Sequence, residues 1–152
     1  MESINVKPCT VADMEQAPNI AELLAEYAKE SAIEGLGPAS AQMETYRQME
    51  AAGFLHILGA FQGDALVGFL LVIVSVLPHY GVRVGSTESY FVTASARKSG
   101  AGLILLREAE HLAQSLGAVG FFVSAPKGGR LEQVMEGKGY RETNRVFFRS
   151  LS

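Results

Sequence analysis

Between Tyr90 and Ala118 the chain reads YFVTASARKSGAGLILLREAEHLAQSLGA: an apolar stretch, two closely spaced glycines, then a helical pattern. Arg97, Gly100 and Gly102 are the residues whose types and spacing suit chemistry. Amides left open at a helix N-terminus attract anions, and glycines let a phosphate approach with no Cβ in the way. Neither common nucleotide loop fits. No Gly-Lys-Ser/Thr follows, as a Walker loop requires, and GAGLIL lacks the third glycine of a dinucleotide fingerprint.

Other reactive side chains carry less. Cys9 is the single cysteine, so it forms no internal disulfide, and no acidifying partner is visible in sequence. No Cys/His cluster has metal-ligand spacing, and no metal is expected. His56 alternates with apolar neighbours and reads as structural or outward-facing. His111 falls on the polar side of a helix. Arg141, Arg145 and Arg149 recur every four residues in a strand-like segment, where they share one face as screened surface charge.

The elements that must position the glycine turn are read from pattern. SINVKP alternates as a first strand. Asp13 with Gln16, and Asn19 with Glu22, are expected capping boxes. Ile20, Leu23, Leu24, Tyr27 and Ala28 mark an amphipathic helix stopping near Gly35, and residues 40 to 52 a weaker one. FLHILGAF, QGD and ALVGFLLVIVSVL form a hairpin, PHYGVRVG a loop and STESYFVT a fourth strand. A helix follows from Gly100 to Leu116 with Leu105, Ala109, Leu112 and Leu116 inward, and Gly117 stops it. AVGFFVSA is a strand, GRLEQVMEGK a short helix, and RETNRVFFRSL a terminal strand, whole or broken into two. The order is β-α-α-β-β-β-α-β-α-β. One βαβ crossover among antiparallel strands gives a mixed sheet with helices on its faces, an α/β (α+β) domain spanning residues 1–152.

Bulk properties narrow the class. With 152 residues, 48% of them apolar and 19% charged, the chain folds as about one domain. A net charge of −3 without a basic run argues against nucleic acid. The longest apolar run, Ala65 to Leu77, is too short to span a membrane. The opening MESINVKPCT lacks a signal-peptide pattern. A soluble protein of the cytoplasm is expected.

The glycine stretch resembles the pyrophosphate loop of the GNAT family of N-acetyltransferases: Arg or Gln, two residues, Gly, one residue, Gly or Ala. Val92 ends a strand five residues before Arg97, as that family places its valine, and Gly139-Tyr140 stands where the family usually has Gly-Phe. The order of elements is similar along nearly the whole chain. The resemblance implies a sheet splayed between its fourth and fifth strands, a bulge on the fourth, and acetyl-coenzyme A lying in the gap. Carried over, Tyr90, Phe91 and Val92 offer backbone to the pantetheine. The pyrophosphate rests on amides from Arg97, Lys98, Ser99, Gly100, Ala101 and Gly102, and the side chains of Arg97 and Lys98 add positive charge. An amide near Val92 is the expected oxyanion donor.

The implied activity is acetyl transfer to an amine of a small molecule or protein by direct attack in a ternary complex. Glu88 is the expected base. Four residues before Val92 on one strand, it should share that residue's face, and partial burial should raise its pKa. The family's usual asparagine and acid-donating tyrosine fall on Gly128 and Met135, and its proline on Ala94. Water or Tyr90, Tyr80 or Tyr46 is left to protonate the thiolate, and Tyr140 takes a packing position. These departures keep a second reading open, a non-catalytic acyl-coenzyme A-binding or partner-binding module. By the same resemblance, His79 and Tyr80, with Glu26, Glu30 and Glu34, border the acceptor site. Many relatives form homodimers.

Overall fold

Thr10 starts the first helix, where the sequence suggested Asp13. In the computed structural model, which describes residues 3–152, the Thr10 hydroxyl accepts from the Asp13 amide while the Asp13 carboxylate accepts from the Thr10 amide. This reciprocal box satisfies two orphan donors and fixes helix α1, Val11–Gln16, directly behind strand β1, Ile4–Cys9. The expected box at Asn19 is also replaced. The Asn19 side chain instead accepts from the Leu66 amide at 3.0 Å and donates to the Leu66 carbonyl at 2.7 Å, pinning helix α2, Ile20–Ser31, to the sheet. Helix α3, Met43–Ala51, begins later than the sequence suggested.

Strands β2, Leu55–Gln62, β3, Ala65–Leu77, and β4, Val82–Val92, follow as a meander. The expected loop PHYGVRVG shrinks to residues 78–81, because Val82 onward pairs with the far half of β3. A thirteen-residue apolar strand leaves its backbone groups unsatisfied without a partner of similar length. A short 3₁₀ turn, Ala94–Ala96, leads to helix α4, Ala101–Ser115, then strand β5, Phe121–Phe122, and helix α5, Arg130–Glu136.

The sheet order is β1-β2-β3-β4-β5, antiparallel except for the β4–β5 pair. Helix α4 packs on one face, over Leu70, Val72 and Val74, while α1, α2 and α3 cover the other, over Leu55, Ile57, Phe69 and Phe91. This is the expected mixed architecture. The parallel pairing holds only at Gly85 with Phe121 and Ser86 with Phe122, and β4 then runs on to Val92 paired with β3 but not with β5. That is the splay.

The terminal strand is a correction. Residues 141–152 form no strand, and Val146 (88%), Phe147 (88%) and Leu151 (95%) stand exposed. Alternating apolar residues favour a strand only where an edge and a face receive them. A two-residue β5 presents little edge.

Candidate active site

Ladder register on β4 decides where Glu88 goes. Leu71 pairs with Ser89 and the next residue, Val72, with Thr87, so Glu88 is the extra residue of a bulge. A bulge shifts alternation by one, and it re-aims the side chain it carries. Val92 packs on the α4 face, whereas Glu88 Oε1 accepts a 2.9 Å hydrogen bond from the Tyr46 hydroxyl on the opposite face. The expectation that Glu88 shares a face with Val92 is therefore wrong. So is its partial burial, since the residue is exposed. Counting by twos cannot cross a bulge. Burial, with the Glu88 carboxylate second, holds the Tyr46 phenol well above its ordinary range, so it remains the donor in this pair.

Beyond Glu88 the edge of β4 away from β3 pairs with no strand among the described residues. The Thr93 amide donates to Val67 on β3 at 2.8 Å. Alternation then sends the backbone groups of Phe91 to β3 and those of Tyr90 and Val92 to the side that β5 has left. The Phe91 ring itself is buried against Tyr27 and Phe69, at centroid distances of 5.3 and 5.9 Å.

The turn that follows is braced from α2. Glu26 accepts from the Thr93 hydroxyl at 2.5 Å and the Ala94 amide at 2.9 Å. Burial works to raise its carboxyl, but these two bonds outweigh that and hold it below the ordinary carboxylate range. Proline at position 94 has no amide to give, so the family's usual residue would forfeit this contact. Arg97 donates to the Val92 carbonyl at 2.9 Å, pairs with Glu30 at 2.7 Å, and lies over the Phe91 ring. Glu26, Glu30 and Arg97 thus hold the turn, where the sequence suggested acceptor attraction for the first two and phosphate charge for the third. The Tyr90 hydroxyl donates to the Gly102 carbonyl, and burial pushes that phenol up to about 12.

Helix α4 opens on Gly100, which has φ of 90° and provides no side-chain cap. Within the turn, the Ser99 amide donates to Ala96 and the Ala101 amide to the Ser99 hydroxyl. The amides of Lys98, Gly100, Gly102 and Leu103 find no acceptor among the described residues. Leu103 was not anticipated from sequence, and the first-turn rule for orphan donors would have found it. A Cβ on Gly102 would meet the Tyr90 hydroxyl at 3.5 Å and Val92 Cγ2 at 3.6 Å, ordinary contacts. Packing alone does not demand glycine there. Lys98 is exposed beside it.

On the other face, a cavity of about 170 Å³ lies between the sheet and α1 to α3. Its walls include Met14, Leu24, Met43 and Leu71, and its polar groups include Tyr27, Tyr46 and Ser89. Tyr46 joins it to Glu88.

Among the remaining candidates, Gly128 donates its amide to Glu132 and Met135 is buried, so neither supplies a proton. Tyr140 donates to Glu110 at 2.5 Å. Tyr80, 71% exposed, stacks edge-on with His79 in the turn before β4, at the opposite end of that strand from Val92. Glu34 is exposed past the end of α2. His56 is half-buried and His111 exposed. Burial pushes the Cys9 thiol up. Arg145 pairs with Glu142 at 3.1 Å on the exposed tail, where Arg141 and Arg149 also lie. No group of three or more metal-binding side chains occurs among the described residues, and none of their helices is long and apolar enough to cross a membrane.

Solved structures share this fold at low identity. A ribosomal-protein-alanine N-acetyltransferase from Brucella melitensis biovar Abortus is 18% identical, with 97% of each chain covered and a TM-score of 0.71. An aminoglycoside 6'-N-acetyltransferase from Acinetobacter haemolyticus is 21% identical, covering 97% of this chain and 98% of its own, with a TM-score of 0.68. An acetyltransferase from Trypanosoma brucei is 16% identical, covering 98% and 100%, with a TM-score of 0.74. Comparison with curated proteins returns no match. A family model described as Acetyltransferase (GNAT) family matches residues 19–127, from the start of α2 past β5 and short of α5. The chain belongs to the GNAT family of acetyltransferases.

Proposed function

We propose that the protein transfers an acetyl group from acetyl-coenzyme A to a primary amine, by direct attack within a ternary complex. The observation that carries this reading is the set of open amides at Lys98, Gly100, Gly102 and Leu103, at the uncapped start of α4 and past the point where β4 and β5 part. Such a cluster suits a diphosphate, and the helix dipole adds attraction. Tyr90 and Val92 present backbone along the cleft. The Val92 carbonyl is held by Arg97, which leaves its amide as the oxyanion donor.

Acetyl-coenzyme A supplies an activated thioester when bound. The chain itself has to orient the amine and remove its proton. Glu88 does the second, with Tyr46 fixing Oε1 and Oε2 left for the amine. An ordinary thiol has a pKa near 8.5, so the departing sulfur needs little help, from water or the Tyr46 hydroxyl. Titration with coenzyme A should give saturable heat, and an amine panel should release thiol. Glu88→Gln should bind coenzyme A unchanged and lose about 10²–10⁴ in kcat. Unaltered turnover in that variant would remove Glu88 from the chemistry.

Gly128 and Met135 favour a second reading, a GNAT-like module that binds an acyl-coenzyme A without turning it over. Heat on titration with no thiol release from any amine would select it.

A further inference from the structure

The 170 Å³ cavity lies on the face of the sheet opposite α4, and Glu88 bonds to the hydroxyl of Tyr46 in its wall. We propose that it holds the body of the acceptor, and that the acceptor is a primary amine on a single apolar group of ring or short branched-chain size. The inference rests on the acetyl-transfer reading and specifies its substrate class.

Three observations carry it. Size is the first: an apolar cavity of about 150 Å³ holds a benzene ring, and this one measures about 170 Å³. Wall chemistry is the second. Met14, Ile20, Leu24, Met43, Ile57 and Leu71 contribute apolar surface, and Tyr46 and Ser89 bring polar atoms to the side where the Glu88 bulge sits. An amine at Glu88 with its apolar body among the methionines matches that polarity.

Charge is the third. A polycation needs several free carboxylates, and most of those on the surrounding helices are engaged, Glu22 at the exposed start of α2 excepted. Glu15 and Glu44 share Arg47, and Glu50 accepts from the Val11 amide. Glu26 holds Thr93 and Ala94, while Glu30 holds Arg97. Glu88 keeps one oxygen beyond its bond to Tyr46, enough for one nitrogen.

The test uses the full chain with acetyl-coenzyme A and four amines: 2-phenylethylamine, isopentylamine, spermidine and kanamycin. The two apolar amines should exceed the two polycations at least tenfold in kcat/KM. Ala41→Leu and Ala28→Leu, each adding bulk to the wall, should raise KM for 2-phenylethylamine at least tenfold and leave the coenzyme A titration unchanged; Ala41 lies in a loop, so one variant should fold if the other does not. Preference for the polycations, or indifference to both filled variants, overturns the proposal.

A readout free of turnover separates this inference from the enzymatic reading. Methyl resonances of Met14 and Met43 should move on adding 2-phenylethylamine while that of Met135, outside the cavity wall, stays. Movement without thiol release keeps the ligand assignment and removes acetyl transfer. Coenzyme A binding with no movement at Met14 or Met43 removes the assignment and leaves the cofactor site intact.

Discussion

Leu70 and Leu71 are neighbours on β3 that serve opposite faces of one sheet, and the two faces are packed differently. Leu70 is 0% exposed beneath α4, in a cluster with Ala101, Leu105 and Ala109. Leu71 is 6% exposed, yet it borders the cavity under α1 to α3. Interiors normally close to crystal-like density. Under α4 the core side chains Leu70, Leu105 and Ala109 are fully buried, and the other face keeps a ring-sized space beside a bulge that carries a carboxylate. The filled face carries α4, whose start is the turn of open amides. The hollow face has room for a second substrate. On the proposed reading, the two halves of a bisubstrate reaction fall on the two sides of β4.

The sharpest way to break this comparison is to truncate the two leucines in parallel. Leu70→Ala should cost about 2–5 kcal/mol, because its surroundings cannot collapse onto the void. Leu71→Ala should fall at the low end of that range, since its side chain already borders space. The same variant should accept amines larger than 2-phenylethylamine. Urea denaturation measures the first effect and the amine panel the second. Equal losses at both positions, with no change in amine size, would make the cavity a mere gap in packing.

Tyrosines on both faces give the next effect. Burial is the leading cause that raises Tyr27 and Tyr46 on the cavity side and Tyr90 and Tyr140 on the α4 side, with a nearby glutamate adding to each. A phenol whose folded pKa exceeds its unfolded value contributes stability that is complete below the unfolded value, about 10, and lost as pH rises through the folded one. For Tyr90 that value is about 12. Stability should hold flat to about pH 10 and fall from there toward about pH 12, in step with tyrosinate absorbance. Tyr90→Phe should flatten part of the fall, at the expense of the bond to Gly102. A decline that starts near pH 8 would point to a different group.

What was legible in the sequence was local, and what was not depended on register and distance. The helix start at Gly100 follows from spacing within a few turns and holds; of the expected inner face, Leu105 and Ala109 are buried and Leu116 partly so, whereas Leu106 and Ala113 take the place of Leu112. Glu88 stands out in the sequence but is misplaced by face, because its bulge exists only in the pairing of β4 with β3. Asn19 reads as a cap until the Leu66 backbone, 47 residues away, claims its amide. Glu26 reads as an edge of the acceptor site until Thr93, 67 residues away, comes against it. RVFFRSL carries the alternation of a strand, but alternation cannot report whether an edge is present. The cavity has no sequence signature at all, being the space that several side chains fail to fill.

Helix α2 offers the finest test, because it serves both halves. Leu24 and Tyr27 line the cavity, while Glu26 and Glu30 reach past the end of β4 to the turn before α4. Glu26 has its carboxyl held below the ordinary range, so its contribution is present above about pH 4.3 and lost as pH falls through the folded value. Glu26→Gln should cost about 0.5–1.5 kcal/mol and mimic that acid loss at neutral pH. Coenzyme A affinity should fall a few-fold by calorimetry, while the ranking of amines stays. Glu30→Gln should do less, about 0–1 kcal/mol, because its pair with Arg97 is partly exposed. It also frees the Arg97 guanidinium next to the open amides, so coenzyme A affinity should hold or rise, more so at low salt. If either substitution reorders the amine panel and leaves coenzyme A affinity untouched, the turn and the cavity are not separable functions of the two faces, and α2 couples them directly.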